Sequence, residues 1–330
     1  MIPHKANKQA VVQISNGTLT ATLGSIGASL IDLRLDGVDH PLVLGWKAPS
    51  EYLRNDPYLG CIVGRCANRI SNGQYALNGK TYSVERNFLG KHCLHGGSKG
   101  AARQNWRRNN QTENAVSFEL EIPEGDMGFG GALSVKAHYS ITSPATLNLD
   151  IRAIATGDTI CNFTPHWYFN LNGDGDIGDH LLRVRAQDYL PVDDELIPLG
   201  SVEPVRNTPY DFQTLRPVGD APLDHNFCIA RERIRLKHIA QLHGLRSGVA
   251  LDLHSTEPGL QIYSGDFLDS ADLPTVFGAP YSTRSGLALE PQGWPDAINN
   301  PSFPSVVFMD GQEYHHQSQY MFSRLSDRHS

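Results

Sequence analysis

Apolar and polar residues alternate along most of the chain, in short segments broken by turn residues. VVQIS (11–15) and TLTATL (18–23) flank Asn16-Gly17, and QYAL (74–77) and KTYSVE (80–85) flank Asn78-Gly79. IDLRL (31–35) and VDHPLVL (38–44) flank Asp36-Gly37 in the same way. Asn-Gly and Asp-Gly accept the positive φ angles of tight hairpin turns, so each pair predicts a hairpin. Further period-two segments are VSFELEI (116–122), LSVKAHYSIT (133–142), TLNLDIRAIA (146–155), LLRVRA (181–186), VALDLHST (249–256), LQIYSGDF (260–267), GLALEP (286–291) and YMFSRL (320–325). FTPHWYFNL (163–171) reads as a buried strand with an imidazole inside it. Helical spacing is scarce, and the best helix is predicted over RERIRLKHIAQLHG (231–244).

Many strands and few helices predict an all-β fold of antiparallel sheets stacked as a large sandwich. No Pro/Ser-rich linker, charge block or repeat divides the chain, so residues 1–330 are expected to form one domain. The Gly-, Pro- and Asn-rich stretches 172–180 and 291–305 read as long loops, where function tends to lie.

Composition narrows the partners. Net charge is −7, and the short basic runs at 107–110 and 231–238 read as a solvated turn and a solvated helix face. Nucleic acid is excluded, since phosphate neutralisation needs a clustered basic surface. No stretch approaches the ~20 apolar residues that span a bilayer. The N-terminal MIPHKANKQAVVQIS lacks the apolar core of a signal peptide. The five scattered cysteines form no disulfide framework and suit a reducing cytoplasm, as small buried apolar groups.

The residues that can carry chemistry are dispersed. In GRCANRISNG (64–73), Arg65, Asn68 and Arg69 are either the charged end of a strand or a polar cluster entering a cleft. His95, in LHGG, shares a strand face with Cys93 while His92 points away, which is poor zinc geometry. His166 lies among Phe163, Trp167, Tyr168 and Phe169, aromatics that could stack on a sugar ring; the plain alternative is a core histidine bonded to a carbonyl. Asp224 of LDHNF, Gln261 of LQIYSG and Glu290 of LALEP are polar groups in strand-like runs. No phosphate-binding loop, dinucleotide fingerprint, nucleophile elbow or CxxC pair is present, which leaves cofactor-free acid/base chemistry on a polyhydroxylated substrate.

Seven collinear motifs give the chain a family resemblance. GRCANRISNGQYALNGKTY (64–82), LHGG (94–97), HWYFNL (166–171), YLPVDDELIPLG (189–200), DHNF (224–227), PGLQIYSGDFL (258–268) and LEPQGWPDAINNPSFPS (289–305) resemble the aldose 1-epimerases, or galactose mutarotases. The resemblance implies a β-supersandwich that interconverts the anomers of a free aldose such as galactose or glucose, with no metal and no organic cofactor. It implies Glu290 as general base, His166 as general acid and His95 as a second active-site histidine. Asn68, Arg69, Asp224 and Gln261 are implied as sugar-binding. NFLGKHC (87–93), Pro165 and Trp167 depart from the family pattern beside the predicted cleft and bear on which aldose fits.

The implied chemistry sets a requirement. His166 must stay charged near neutral pH, so an anion must offset its desolvation. Competing expectations are a glycosidase built on Asp224 and Glu290, a sugar-phosphate epimerase using Arg65 and Arg103, and a non-catalytic sugar-binding protein. The partner is expected to be a monosaccharide, and the assembly a monomer or homodimer.

Overall fold

A computed structural model describes residues 11–54, 56–270 and 273–328; the first ten residues of the N-terminal stretch considered above lie outside it. Among the described residues the helical turns are all short 3-10 segments, and the rest of the regular structure is β. Two sheets dominate. The larger has nine strands in the order Arg216–Pro217, Leu181–Val184, Lys237–Gly244, Val249–Ser255, Glu313–Arg324, Thr146–Thr156, Ala132–Thr142, Ala115–Ile122 and Arg107–Asn109. The smaller has six, in the order Tyr168–Phe169, Leu287–Gln292, Gly259–Tyr263, Asp224–Cys228, Asp188–Tyr189 and Glu203–Pro204. All the pairings within them are antiparallel.

Period-two alternation drives this arrangement. Leu133, Val135, Ala137, Tyr139 and Ile141 are buried along one strand of the large sheet, and Leu147, Leu149, Ile151, Ala153 and Ala155 along its neighbour. Phe169, Phe227, Leu260, Ile262, Leu287 and Leu289 of the six-stranded sheet belong to the same core cluster. Because side chains alternate faces, their neighbours in sequence point the other way. That second face carries His166, Tyr168, Asp224, Asn226, Gln261 and Glu290.

The hairpins at Asn16-Gly17 and Asn78-Gly79 form as predicted, with Asn78 at φ 50° and Gly79 at φ 75°. The Asp36-Gly37 hairpin does not. Leu42 still donates to Leu33 O, but Val43 bridges to Phe169 and Leu44 donates to Tyr168 O, so the chain leaves for the six-stranded sheet.

The predicted helix over 231–244 is also absent. Lys237–Gly244 is a strand paired on both sides, with a bulge at His238/Ala240 that breaks its alternation and lets it imitate a helical period. The basic face predicted to be solvated includes Arg233, which bonds the fully buried Glu257 at 3.1 Å. The turn predicted at 107–110 is largely an exposed edge strand. All five cysteines are free, four buried and Cys228 half-buried.

Arg233→Met should destabilise the fold by about 3 kcal/mol, because it leaves the Glu257 carboxylate buried without its cation. Replacing both, Arg233→Met with Glu257→Leu, should recover most of the loss in chemical denaturation. Equal stability of the single variant and the parent would show that the pair contributes nothing.

Candidate functional site

Strand register assembles the site. Tyr168 pairs with Ala288, and Leu289 N donates to Trp167 O, which sets His166 opposite Glu290. Glu290 pairs with Gln261, and Gln261 with Asn226. Glu290, Gln261 and Asn226 therefore form one row across three strands, and His166, two residues before the edge strand, extends it. The adjacent row is Tyr168, Ala288, Tyr263 and Asp224. His166 Nε2 lies 3.5 Å from Glu290 Oε1. Gln261 donates to Asp224 Oδ1 at 2.6 Å, and Arg69 donates to Asp224 Oδ2 at 3.2 Å. His166, Glu290, Gln261 and Arg69 are all buried.

The loops bring in the rest. His95 is not on a strand face with Cys93: the strand is Cys93–Leu94 alone, and His95 turns out of it at φ 51°. His92 is buried elsewhere, between Asn72 N and Glu195. Asn68, at φ 60°, bonds His95 twice: Asn68 O accepts from His95 N, and Asn68 N donates to His95 Nδ1 at 3.1 Å. The next residue, Gly96, packs on the Gly64–Arg65 backbone so closely that a Cβ there would collide with the Gly64 carbonyl.

The Asn68 bond fixes a tautomer. Burial pushes the His95 imidazole well below its ordinary range, so the ring is neutral. With its Nδ1 lone pair accepting, its single proton sits on Nε2. His95 is thus a fixed hydrogen-bond donor.

The same fact bears on metal binding. His95, His166 and Glu290 offer ligand atoms within 4.8 Å of one another, a convergence that sequence spacing did not show. A His₂Glu set suits zinc, but one His95 nitrogen is engaged and the other protonated. These three residues do not fit a metal ion.

The sequence-based electrostatic requirement needs correction. The Glu290 carboxyl does stand beside His166, yet burial dominates both partners. It pushes the imidazole down to about 3 and the Glu290 carboxyl well above its ordinary value of 4.5. The Asp224 charge raises Glu290 further, and the Arg69 guanidinium opposes that. Burial thus disfavours a lone charge on either group.

Other expectations meet mixed outcomes. Arg69 enters the cleft, with its guanidinium 4.5 Å from the Phe88 ring centroid. Phe88 lies in the NFLGKHC departure, where an aromatic beside a turn gives no sign of its partner Arg69. Arg65 does not enter. Its Nη1 donates to Gly130 O, Gly131 O and Thr159 Oγ1 in the interior. Arg103 pairs with Asp56, so it and Arg65 do not converge on a phosphate site. Of Phe163, Trp167, Tyr168 and Phe169, the aromatics flanking His166 in sequence, Tyr168 alone sets its ring against it among the described residues, at 5.0 Å between centroids. Trp167 faces the core against Tyr139 and Tyr320 and donates to Gly60 O, so it does not line the cleft.

The sequence model of the family described as aldose 1-epimerase matches residues 10–321. A galactose mutarotase of Sus scrofa is 36% identical, across 98% of this chain and 96% of its own. An aldose 1-epimerase of Escherichia coli is 32% identical, across 93% of each chain. A crystal structure of an aldose epimerase homologue from C. elegans superposes with a TM-score of 0.90 at 28% identity, covering 96% of this chain and 99% of that one.

The raised Glu290 carboxyl has a stability consequence. As pH rises above 4.5 the unfolded chain ionises this group and the native chain does not, so native stability is progressively lost. Glu290→Gln removes that linkage. In thermal denaturation across pH 4.5–8, the melting temperature of the variant relative to the parent should rise steadily with pH. A constant difference would show an ordinary carboxylate.

Proposed function

The chain belongs to the aldose 1-epimerase family, and on that premise we propose that Glu290 and His166 interconvert the α and β anomers of a free aldose by exchanging one proton through the bound sugar. The observation that carries this reading is the 3.5 Å approach of His166 Nε2 to Glu290 Oε1 inside a polar row.

Ring opening removes the C1 hydroxyl proton and protonates the ring oxygen. Ionised Glu290 takes the first proton as base, and His166 as imidazolium gives the second as acid. Both groups then stand neutral, the state that burial favours. The C1–C2 bond turns by half a revolution, the aldehyde presents its other face, and the same transfers run backwards. The pair starts and ends with one proton, so no proton has to be exchanged with solvent during a turnover.

Sugar binding prepares the charged form. A C1 hydroxyl donating to Glu290 and a ring oxygen accepting from His166 stabilise the carboxylate and the imidazolium, as Arg69 does for the carboxylate. His95 donates through Nε2 to a sugar oxygen without taking part in proton transfer. Asp224, Gln261, Arg69 and the Asn68 amide hold hydroxyls. Catalysis needs no metal and no organic cofactor, which agrees with the His95 tautomer. The five free cysteines suit a cytoplasmic protein, and among the described residues no helix is long and apolar enough to cross a membrane.

Glu290→Gln and His166→Asn should each lower kcat by ~10²–10⁴-fold in polarimetry of freshly dissolved α-galactose and α-glucose. Wild-type turnover in either would remove that residue from its role. Asp224→Asn and Gln261→Leu should act mainly on KM; an effect on kcat alone contradicts a binding role. Exhaustive chelation should leave turnover unchanged, and a loss restored by zinc contradicts the metal-free reading. The pH profile of kcat/KM should be a broad plateau. Its acid limb, where the pair gains a second proton, should lie well below an ordinary histidine's 6.5. An acid limb near that value would mean that His166 titrates alone.

A further inference from the structure

We infer that Tyr58 is the positioning residue that holds the His166 imidazole in line with Glu290. The inference rests on the reading of His166 as a proton carrier.

The backbone of His166 is pinned from both sides: its N–H donates to Cys61 O at 2.8 Å, and its carbonyl accepts from Gly60 N at 3.0 Å. Its side chain is not. A histidine that moves protons is commonly oriented by a hydrogen bond at the ring nitrogen away from the reaction. His166 Nδ1 is buried and bonded to no other residue among the described residues; the one polar contact of the ring besides Glu290 is with its own backbone. The ring is free to turn about its terminal torsion unless packing prevents it.

Three rings supply that packing. Tyr168 lies 5.0 Å from His166 between centroids, and its hydroxyl donates to Pro57 O at 3.0 Å. His95 stands edge-on at 5.2 Å and 86°. Tyr58 lies 6.0 Å from His166 and 4.7 Å from His95, so among the described residues it alone sets a six-membered ring against both imidazoles. Moving Tyr58 would release His166 on one side and disturb His95 on the other.

Tyr58 is itself held in a demanding conformation. Its φ is 57°, a left-handed value that a bulky residue adopts only where its surroundings impose it. The Arg103 guanidinium carbon lies 5.6 Å from the ring centroid. Arg103 also donates to Leu53 O and to Asp56 Oδ1, each at 3.1 Å, which ties it to the loop preceding Tyr58. The sequence YLGC (58–61) thus supplies the wedge and both backbone bonds to His166 within four residues.

Packing of this kind has a chemical consequence. Aromatic walls restrain the ring without placing an acceptor on Nδ1, so they do not weaken the imidazolium as an acid.

The test is steady-state mutarotation with Tyr58→Phe, Tyr58→Leu and Arg103→Leu beside His166→Asn. Tyr58→Leu should lower kcat by ~10²-fold, the loss expected for a misplacement of about 1 Å, with KM changed by less than about threefold. Tyr58→Phe keeps the ring and should restore kcat to within about threefold of the parent. Arg103→Leu, which leaves the ring in place without its buttress, should lose about tenfold in kcat and keeps the test open if Tyr58→Leu does not fold. Parental kcat in Tyr58→Leu or in Arg103→Leu, a loss confined to KM, or equal damage in Tyr58→Phe and Tyr58→Leu would each overturn the positioning role. An active His166→Asn overturns the proton-carrier reading instead; an inactive His166→Asn beside a fully active Tyr58→Leu overturns only the role of Tyr58.

Discussion

Desolvation of two facing ionisable groups governs this molecule. Alone, a buried glutamate resists ionisation and a buried histidine resists protonation. Placed 3.5 Å apart, they become two positions for one proton. The proton can rest on the carboxyl, leaving both neutral, or on the imidazole, leaving an ion pair. The proposed mutarotation uses both arrangements, one before ring opening and one after it. The protein has only to keep the two arrangements close in energy and let the sugar's own oxygens tip the balance.

The sandwich exists to make that burial possible. The nine-stranded sheet covers one face of the six-stranded sheet with aliphatic and aromatic side chains, and the opposite face is released for polar groups. Strict alternation then lets Leu289 and Glu290, adjacent in sequence, serve the core and the cleft. Trp167 and His166 divide the same labour. Cross-strand pairing fixes Glu290, Gln261 and Asn226 in a row, so distances along it are set by the spacing between strands, and backbone bonds to Gly60 and Cys61 hold His166 at its end. Loops supply what the sheet lacks: the left-handed residues Asn68 and His95 lock each other, and the lock selects the tautomer that leaves His95 a donor.

Much of this was legible in the chain. Alternation located most of the long strands, and Asn-Gly located two hairpins, because local backbone preference and packing agree there. Where they disagree the reading failed. The bulge at His238/Ala240 disguises a strand as a helix, and the bonding of Val43 and Leu44 to the six-stranded sheet pulls 38–44 out of a hairpin. The candidate site residues are named by family motifs; their spacing alone leaves each one ambiguous. Trp167 was misplaced because an aromatic beside a histidine looks like a platform until its face is known. Tyr58 and Phe88 carried no signal beyond being aromatic, since their partners lie far away in sequence. The protonation state was least legible of all, because it depends on the burial of Glu290 and His166 together.

The most direct test is a carbon-13 NMR titration of the Glu290 side-chain carboxyl in the free protein, assigned by comparison with Glu290→Gln, between about pH 5 and pH 8. A shared proton under strong desolvation predicts the chemical shift of a neutral carboxyl across that interval, moving toward the carboxylate value when a saturating aldose is added. A carboxylate shift in the free protein throughout the same interval would contradict it, and the pair would then be an ordinary ion pair.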